Sequence, residues 1–330
     1  MRVHRLAAVL LSVGFALAVG VGQGDGQPGA RTRLDLAGHI QKVGWTPNIL
    51  TPGAQPGTFV IGDLDGGWIS LRRATDGGLL QNIYVGESTL GLAAAPQGQE
   101  LYAANVRGST VLIVDLRIGG LVDSLVVGQS ANLVATSADG RFLIATAFEP
   151  GLVVVFDREF DFTRRTLVLD DRPAGLAITR NRFPPRAYVV GLDRGKIFTL
   201  EFNPSSFAVV DTIRTREGAS FIALSPDEST AYVSGGGNRV MAVNLDQGFV
   251  QREIPVGSEP LGLDVSPDGR YVLVANSASG SVSLIETDRN IVVDDLPVGD
   301  LPSDVLFVSD TRAYVALLGD NALAVINLVR

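Results

Sequence analysis

Short stretches of alternating apolar and polar residues fill the chain from residue 31 onward, separated by clusters of Gly, Asn, Asp and Ser. Residues 261–286, LGLDVSPDGRYVLVANSASGSVSLIE, are typical. Alternation with a period of two indicates β-strands, and clusters such as Pro-Asp-Gly supply the backbone angles of tight turns. The pattern therefore predicts an all-β chain.

This pattern repeats at a nearly fixed interval. A short segment, often Val-Gly, opens each unit near residues 43, 85, 127, 169, 215, 256 and 298, and the longer fourth unit has its extra residues at 180–186. Each unit has room for four strands, and one four-stranded sheet cannot bury both of its faces alone, so neighbouring units must stack. Period and strand count together predict a seven-bladed β-propeller with four-stranded antiparallel blades. The second strand of each unit has an aromatic residue near its start: Phe59, Tyr102, Phe142, Tyr188, Tyr232, Tyr271 and Tyr314.

The two ends of the repeat predict how the ring closes. The seventh unit stops after its third strand, within NALAVINLVR at 321–330, and residues 31–42 occupy the register of a fourth strand. We expect the N-terminal strand to pair with the last blade, because closure removes two open sheet edges. The propeller would then be one domain over residues 31–330.

The segment before the propeller predicts export. Residues 1–18, MRVHRLAAVLLSVGFALA, have the basic start, apolar run and small-residue end of a signal peptide, with cleavage after Ala18. Residues 19–30 would form a flexible leader. We expect a periplasmic or extracellular protein with no membrane span after cleavage; an uncleaved anchor is the alternative.

Charge and composition narrow the range of partners. The formal net charge of −8 disfavours binding to polyanions, so we predict no nucleic-acid partner. The sequence contains no cysteine, which excludes disulfides, thiolate catalysis and cysteine-based metal sites within it.

The repeat resembles the YVTN-type β-propeller family, whose unit is a Pro-Asp-Gly turn followed by Tyr-Val-x-Asn. The matching segments are SPDGRY at 266–271 with VAN at 274–276, and LYAAN at 101–105. The resemblance covers residues 31–330, although the third and fourth units lack the Asn. Members include secreted and surface-layer proteins, lactonases and cofactor-bearing oxidoreductases, so the resemblance implies the fold and leaves the activity open.

Candidate binding residues cluster in the first unit. Trp45 lies in the loop before its first strand and Trp68 follows its second hairpin turn, and in a propeller these loops share the face around the channel mouth. Two tryptophans in one loop cluster are typical of a binding hot spot, although packing at the closure seam would also explain them. Further candidates for the same rim are Asp63, Asp65, Asp193, Arg194, Lys196 and Asn238.

Metal and cofactor chemistry has little support. Asp63 and Asp65, in GDLDGG at 62–67, could present oxygens to Ca²⁺, but hairpin-turn chemistry explains both without a metal. His39 is the one histidine after residue 18, and it falls in the predicted closing strand. We therefore predict no metal, no cofactor and no catalytic residues.

The predicted function is non-catalytic: a binding module or scaffold that presents the channel-mouth loops to a protein, glycan or small ligand. One alternative is an enzyme, a lactonase-like hydrolase or a relative of quinone-dependent dehydrogenases. Carboxylates, arginines and aromatics converging in the channel would favour that alternative, whereas small apolar residues there would count against it. A structural protein of the cell envelope is a second alternative, and the sequence leaves the oligomeric state open.

Overall fold

The computed structural model describes residues 32–86 and 88–329. The predicted signal peptide and leader lie outside these residues. Apart from one 3₁₀ turn at Arg158–Phe160, the regular structure is β-strand, and no helix in the described part is long and apolar enough to cross a membrane. The strands are β1 Arg33–Gln41, β2 Pro47–Pro52, β3 Thr58–Asp63, β4 Trp68–Arg73, β5 Leu79–Tyr84, β6 Thr89–Ala94, β7 Glu100–Asn105, β8 Thr110–Asp115, β9 Gly120–Val126, β10 Ala131–Thr136, β11 Phe142–Ala147, β12 Leu152–Asp157, β13 Thr163–Val168, β14 Pro173–Ile178, β15 Arg186–Gly191, β16 Lys196–Phe202, β17 Phe207–Arg214, β18 Ala219–Leu224, β19 Thr230–Gly235, β20 Arg239–Asn244, β21 Phe249–Pro255, β22 Pro260–Val265, β23 Tyr271–Asn276, β24 Ser281–Glu286, β25 Ile291–Pro297, β26 Pro302–Ser309, β27 Arg312–Leu317 and β28 Ala322–Val329.

These strands form seven four-stranded antiparallel sheets, which are the seven blades. In blades one to six the strands follow one another in chain order, beginning with β2, β6, β10, β14, β18 and β22. Each blade's first strand contacts those of the blades before and after it, and β26 contacts β2, so the first strands enclose a central channel. The predicted seven-bladed propeller is confirmed.

The ring closes through the N-terminal strand, as predicted. Blade seven has the order β1-β28-β27-β26, so its outer strand comes from the other end of the described chain. The pairing runs from Arg33 opposite Val329 to Gln41 opposite Ala322, with one irregularity between Leu36 and Gly38. We call the boundary between blade seven and blade one the closure seam.

Buried aromatic side chains join adjacent blades. All seven aromatics at the start of the second strands are at most 5% exposed. At the closure seam, Phe59 of blade one stacks on Tyr314 of blade seven, with ring centroids 4.5 Å apart. Both rings belong to a core cluster that also contains Leu50 and Leu306 from the two first strands. The inter-blade core therefore holds the seam closed without a covalent link.

Candidate functional site

A groove lies on the outer side of the closure seam and runs along the third and fourth strands of blade one. Its volume is about 460 Å³, which is in the range of small-molecule sites, about 300–1,000 Å³. The hairpin between β27 and β28 and the loop that follows β1 form one wall. The third and fourth strands of blade one form the other. We call it the seam groove; its lining residues are Lys42, Val43, Gly44, Trp45, Trp68, Ser70, Arg72, Leu79, Asn82 and Asn321.

The structure brings both tryptophans of the chain into this groove. Trp45 is 74% exposed and Trp68 is 40% exposed, so neither is a core residue. Trp68 also contacts Tyr84 on the neighbouring strand, with ring centroids 4.9 Å apart, and Tyr84 is itself exposed. An exposed cluster of three aromatic rings beside a groove is what recognition surfaces use to bury large, rigid contact area.

Asp63 holds the loop that carries Trp45. Its buried carboxylate accepts hydrogen bonds from the backbone nitrogens of Trp45 (2.6 Å) and Gly66 (2.7 Å) and from the Thr46 hydroxyl (2.9 Å). A Cβ at Gly44 would lie 2.6 Å from the same carboxylate, so glycine permits this close packing. Asp65 instead pairs with Arg107 of blade two at 2.8 Å. The arrangement gives Asp63 a positioning role beneath the loop, where its oxygens are already occupied.

The candidates in blades four and five lie across the ring from the seam groove. Each of them already has a partner in its own or the next blade. Asp193 accepts a bidentate contact from Arg172, which lowers the pKa of Asp193. Arg194 and Lys196 both contact the carboxylate of Asp170, at 3.3 and 2.7 Å. Asn238 accepts the backbone N–H of Glu259 from blade six at 3.4 Å. The charged candidates of blade four therefore belong to an internally paired cluster, and Asn238 of blade five is bonded to blade six instead.

Two carboxylates on adjacent first strands were not among the predicted site residues. Asp264 of β22 accepts the backbone N–H of Phe307 at 2.8 Å, and Asp304 of β26 accepts that of Leu50 at 2.8 Å. Burial raises the pKa of each to about 7, and the nearby Asp264 also raises that of Asp304. A Cβ at Gly262 would lie 2.1 Å from the Asp304 carboxylate, so this glycine makes room for it.

An alignment of the seven units would have revealed this pair. At the Asp264 position the other units have Thr or aliphatic residues, and at the Asp304 position they have Gly, aliphatic residues or Phe. In each case an Asp oxygen accepts an N–H from the first strand of the next blade. This strand is the inner edge of its sheet, so the N–H would otherwise lack a hydrogen-bond partner. At the Asp264 position these residues are Thr51, Ala93, Ala135, Ala177, Ala223 and Leu306. At the Asp304 position they are Ile49, Gly91, Leu133, Gly175, Phe221 and Gly262.

Other features of the described residues offer less chemistry. A second groove of about 510 Å³, between the loops of blades one and two on the opposite face, has Arg117 as its one charged residue, and Arg117 pairs with Asp115. His39 is exposed on β1 and its Nε2–H donates to the Val298 carbonyl at 2.7 Å. Within residues 32–86 and 88–329, no three His, Asp or Glu side chains are grouped as a metal site would need.

Comparison with known proteins supports the fold from two directions. The family model described as "Lactonase, 7-bladed beta-propeller" matches residues 186–295, about a third of the chain, from the second strand of blade four to the fourth strand of blade six. A comparison with curated proteins finds no match. The hydrazine synthase of Kuenenia stuttgartiensis superposes with a TM-score of 0.75 at 18% identity, covering 88% of this chain and 98% of that chain. At this identity the likeness shows the fold alone.

Proposed function

We propose that the chain is an exported β-propeller of the YVTN-repeat type that binds a glycan or another small ligand in the seam groove. The observation that carries the proposal is that Trp45 and Trp68 both line one open groove of ligand size, with Tyr84 in contact with Trp68. Export rests on the signal-like sequence of residues 1–18. The propeller then acts as a rigid scaffold whose loops hold the rings in place.

The electrostatics of the central channel support binding over catalysis. Both channel carboxylates, Asp264 and Asp304, already accept backbone N–H groups of the neighbouring blade. Most of the other channel-side positions are alanine, glycine or aliphatic residues. These hydrogen bonds give each carboxylate a structural role between neighbouring first strands, which explains both residues without a reaction.

Binding can be tested with a saccharide panel and matched aromatic variants. We expect the wild-type protein to bind at least one member, and the Trp45→Ala/Trp68→Ala double variant to lose that binding by at least about tenfold, since aromatic anchors contribute about 2 kcal/mol or more. The matched control is Phe183→Ala, because Phe183 is a 95% exposed aromatic in a blade-four loop. Binding that survives the double variant, or no binding by the wild type, would contradict the proposal.

A lactonase-like hydrolase is the second candidate, and the family match supports it at least as directly as it supports a binder. A carboxyl group with a pKa of about 7 is suited to general acid–base work at neutral pH, and Asp264 lies within the matched segment. The test is the rate of proton release from sugar lactones at pH 7, with Asp264→Asn as the variant. A rate above background that Asp264→Asn abolishes would establish the hydrolase; a background rate would exclude it for those substrates.

A further inference from the structure

Arg72 lies in the floor of the seam groove at a position where the fold does not need a cation. Arg72 pairs across the blade with Phe59, and cross-strand partners share a face of the sheet, so its side chain faces blade seven. It is only 6% exposed. The register of strands two and three places these residues at the equivalent position of the other six blades: Val114, Phe156, Leu200, Val243, Ile285 and Ile326. All six are buried apolar residues.

The guanidinium of Arg72 is incompletely paired. Its Nη1 donates to the Gly77 carbonyl at 2.9 Å, whereas the buried Nε has no hydrogen-bond partner. Across residues 32–86 and 88–329, no carboxylate forms an ion pair with Arg72. Burial correspondingly lowers the pKa of Arg72. An unpaired buried charge is costly, and its retention calls for an anion that compensates it.

The nitrogen of Arg72 that is open to a ligand is Nη2. It donates to no described residue and, unlike Nε, it is not a buried atom. In this protein the Nη2 atoms of Arg141, Arg172 and Arg216 each donate to a carboxylate. A guanidinium N–H directed at a carboxylate forms a charge-assisted hydrogen bond, which is stronger than a neutral one.

The walls around Arg72 suit a sugar ring. Trp45 and Trp68 offer exposed apolar faces, against which the C–H face of a sugar can pack. Ser70 donates to Asn82 at 2.6 Å, and these two polar side chains line the groove between Arg72 and the tryptophans. Lys42 adds a second positive charge at the edge, on a protein whose net charge is −8.

We propose that the seam groove binds a carboxylated sugar, a uronic acid unit, with its carboxylate on Nη2 of Arg72 and its ring against Trp45 and Trp68. This inference rests on the proposed ligand-binding function and names the ligand class. Arg72 supplies the selectivity for the acid over the neutral sugar, and the aromatic rings supply affinity common to both.

The chain carries its own probe for this test, because its two tryptophans both line the groove. Tryptophan emission of the purified protein is titrated with D-galacturonate and D-glucuronate, and with D-galactose, acetate and inorganic phosphate for comparison. We expect at least one uronate to change the emission saturably and to bind at least about tenfold more tightly than galactose, acetate or phosphate. A hydrogen bond to a charged group is worth about 1.5–3 kcal/mol, which corresponds to that ratio.

Arg72→Leu is the decisive variant, since Leu200 occupies the same position in blade four. It should lose the uronate preference by at least about tenfold and keep the weak binding of galactose. Arg289→Leu, which removes an exposed arginine paired with Glu286, is the control and should bind as the wild type does.

The remaining outcomes separate this inference from the proposed function. Equal binding of galactose and uronate, unaffected by Arg72→Leu, would overturn carboxylate recognition while leaving the aromatic groove as a ligand site. Phosphate binding as tightly as uronate would show a general anion site and overturn the sugar-acid assignment. No emission change with either uronate at millimolar concentration would overturn the inference outright, and the saccharide panel with its alanine variants would then decide the proposed function.

Discussion

The seam groove and the rim of blades four and five are both rich in charge, but they satisfy it differently. On the blade-four side each cation has a carboxylate partner: Arg172 has Asp193, and Arg194 and Lys196 share Asp170. At the seam, neither Arg72 nor Lys42 forms an ion pair with a described residue. A cluster that is internally paired has little charge left for a ligand. Unpaired cations beside exposed aromatic rings can still bind one.

The seam also differs in how it is built. Other blade boundaries join units that are consecutive in the chain, while blade seven takes its outer strand from residues 33–41. The groove wall that ends at Lys42 therefore exists only because the ring closes. The proposed binding at the groove would therefore depend on closure of the ring through this strand.

Deleting residues 33–41 should have the largest effect. The deletion removes the buried Leu34 and the eight residue pairs with β28, and loss of one buried Leu alone costs about 2–5 kcal/mol. We expect a protein that is unfolded or unfolds at much lower urea concentration. A circular permutant with this strand attached after residue 330 is the control and should recover most of the stability. An unchanged urea midpoint in the deletion variant would contradict the role of the strand.

Exchanging the residues at equivalent positions should have the next largest effect. Leu200→Arg puts an unpaired charge into the tightly packed boundary of blade four, which we expect to cost about 3–5 kcal/mol in urea unfolding. Arg72→Leu should change stability by no more than about 1 kcal/mol, because an apolar residue relieves the buried charge while the Gly77 carbonyl loses its donor. Similar costs for the two variants would show that Arg72 is an ordinary structural residue.

The channel carboxylates should give a pH dependence of the opposite sign from most acids. Their folded-state pKa of about 7 exceeds the unfolded value of about 4, so the folded state binds more protons between these values. Stability contributed by Asp264 and Asp304 is therefore present at pH 4 and is lost as pH rises through 7. We therefore compare the free energy of unfolding of each Asp→Asn variant with that of the wild type at both pH values. This difference should be more favourable to the variant at pH 8 than at pH 5 by about 1 kcal/mol or more, allowing for channel water.

Asp115→Asn is the control for that pH profile. Hydrogen bonds from Arg117 lower the pKa of Asp115 to about 2, so its contribution is present above the unfolded pKa and is lost only as pH falls toward 2. Its stability difference from the wild type should stay constant between pH 5 and pH 8. A flat profile for Asp264→Asn and Asp304→Asn as well would contradict the raised pKa values.

The smallest effect should come from the paired cluster. Arg172→Ala removes a partly exposed ion pair, so we expect a loss of about 1 kcal/mol or less, diminishing at high salt. The pKa of Asp193 should rise toward its usual value, which a carboxyl-detected NMR titration would measure. Ligand binding at the seam groove should be unchanged; a large loss of binding would mean that the two regions are not independent.

Much of the fold could be predicted from the chain because its signals are local and repeated seven times. The period-two strands, the turn clusters and the spacing of Val-Gly define the blades, and the missing strand at one end matched the extra strand at the other. The groove was harder, since it depends on which face of a strand meets which neighbour. Trp45 and Trp68 could be found from the sequence, because the only two tryptophans of the sequence both fall in the first unit. Arg72 was hidden because a single arginine carries no signal until the seven units are aligned strand by strand.

For the same reason, the two channel carboxylates were not predicted from the sequence. Asp264 and Asp304 stand two positions apart in their units, and only the curvature of the ring brings them close enough to influence each other. Loop acids such as Asp63 looked equally suited to a site, yet the structure occupies the oxygens of Asp63 with backbone donors. Chemistry in a repeat protein is best sought where one unit departs from the others at a buried position.

A crystal structure of the protein soaked with D-galacturonate would test the proposed sugar-acid site most directly. We expect the sugar in the seam groove, with a carboxylate oxygen about 3 Å from Nη2 of Arg72 and the ring against Trp45 or Trp68. Electron density for the sugar only elsewhere, with the groove of well-ordered crystals empty, would contradict it.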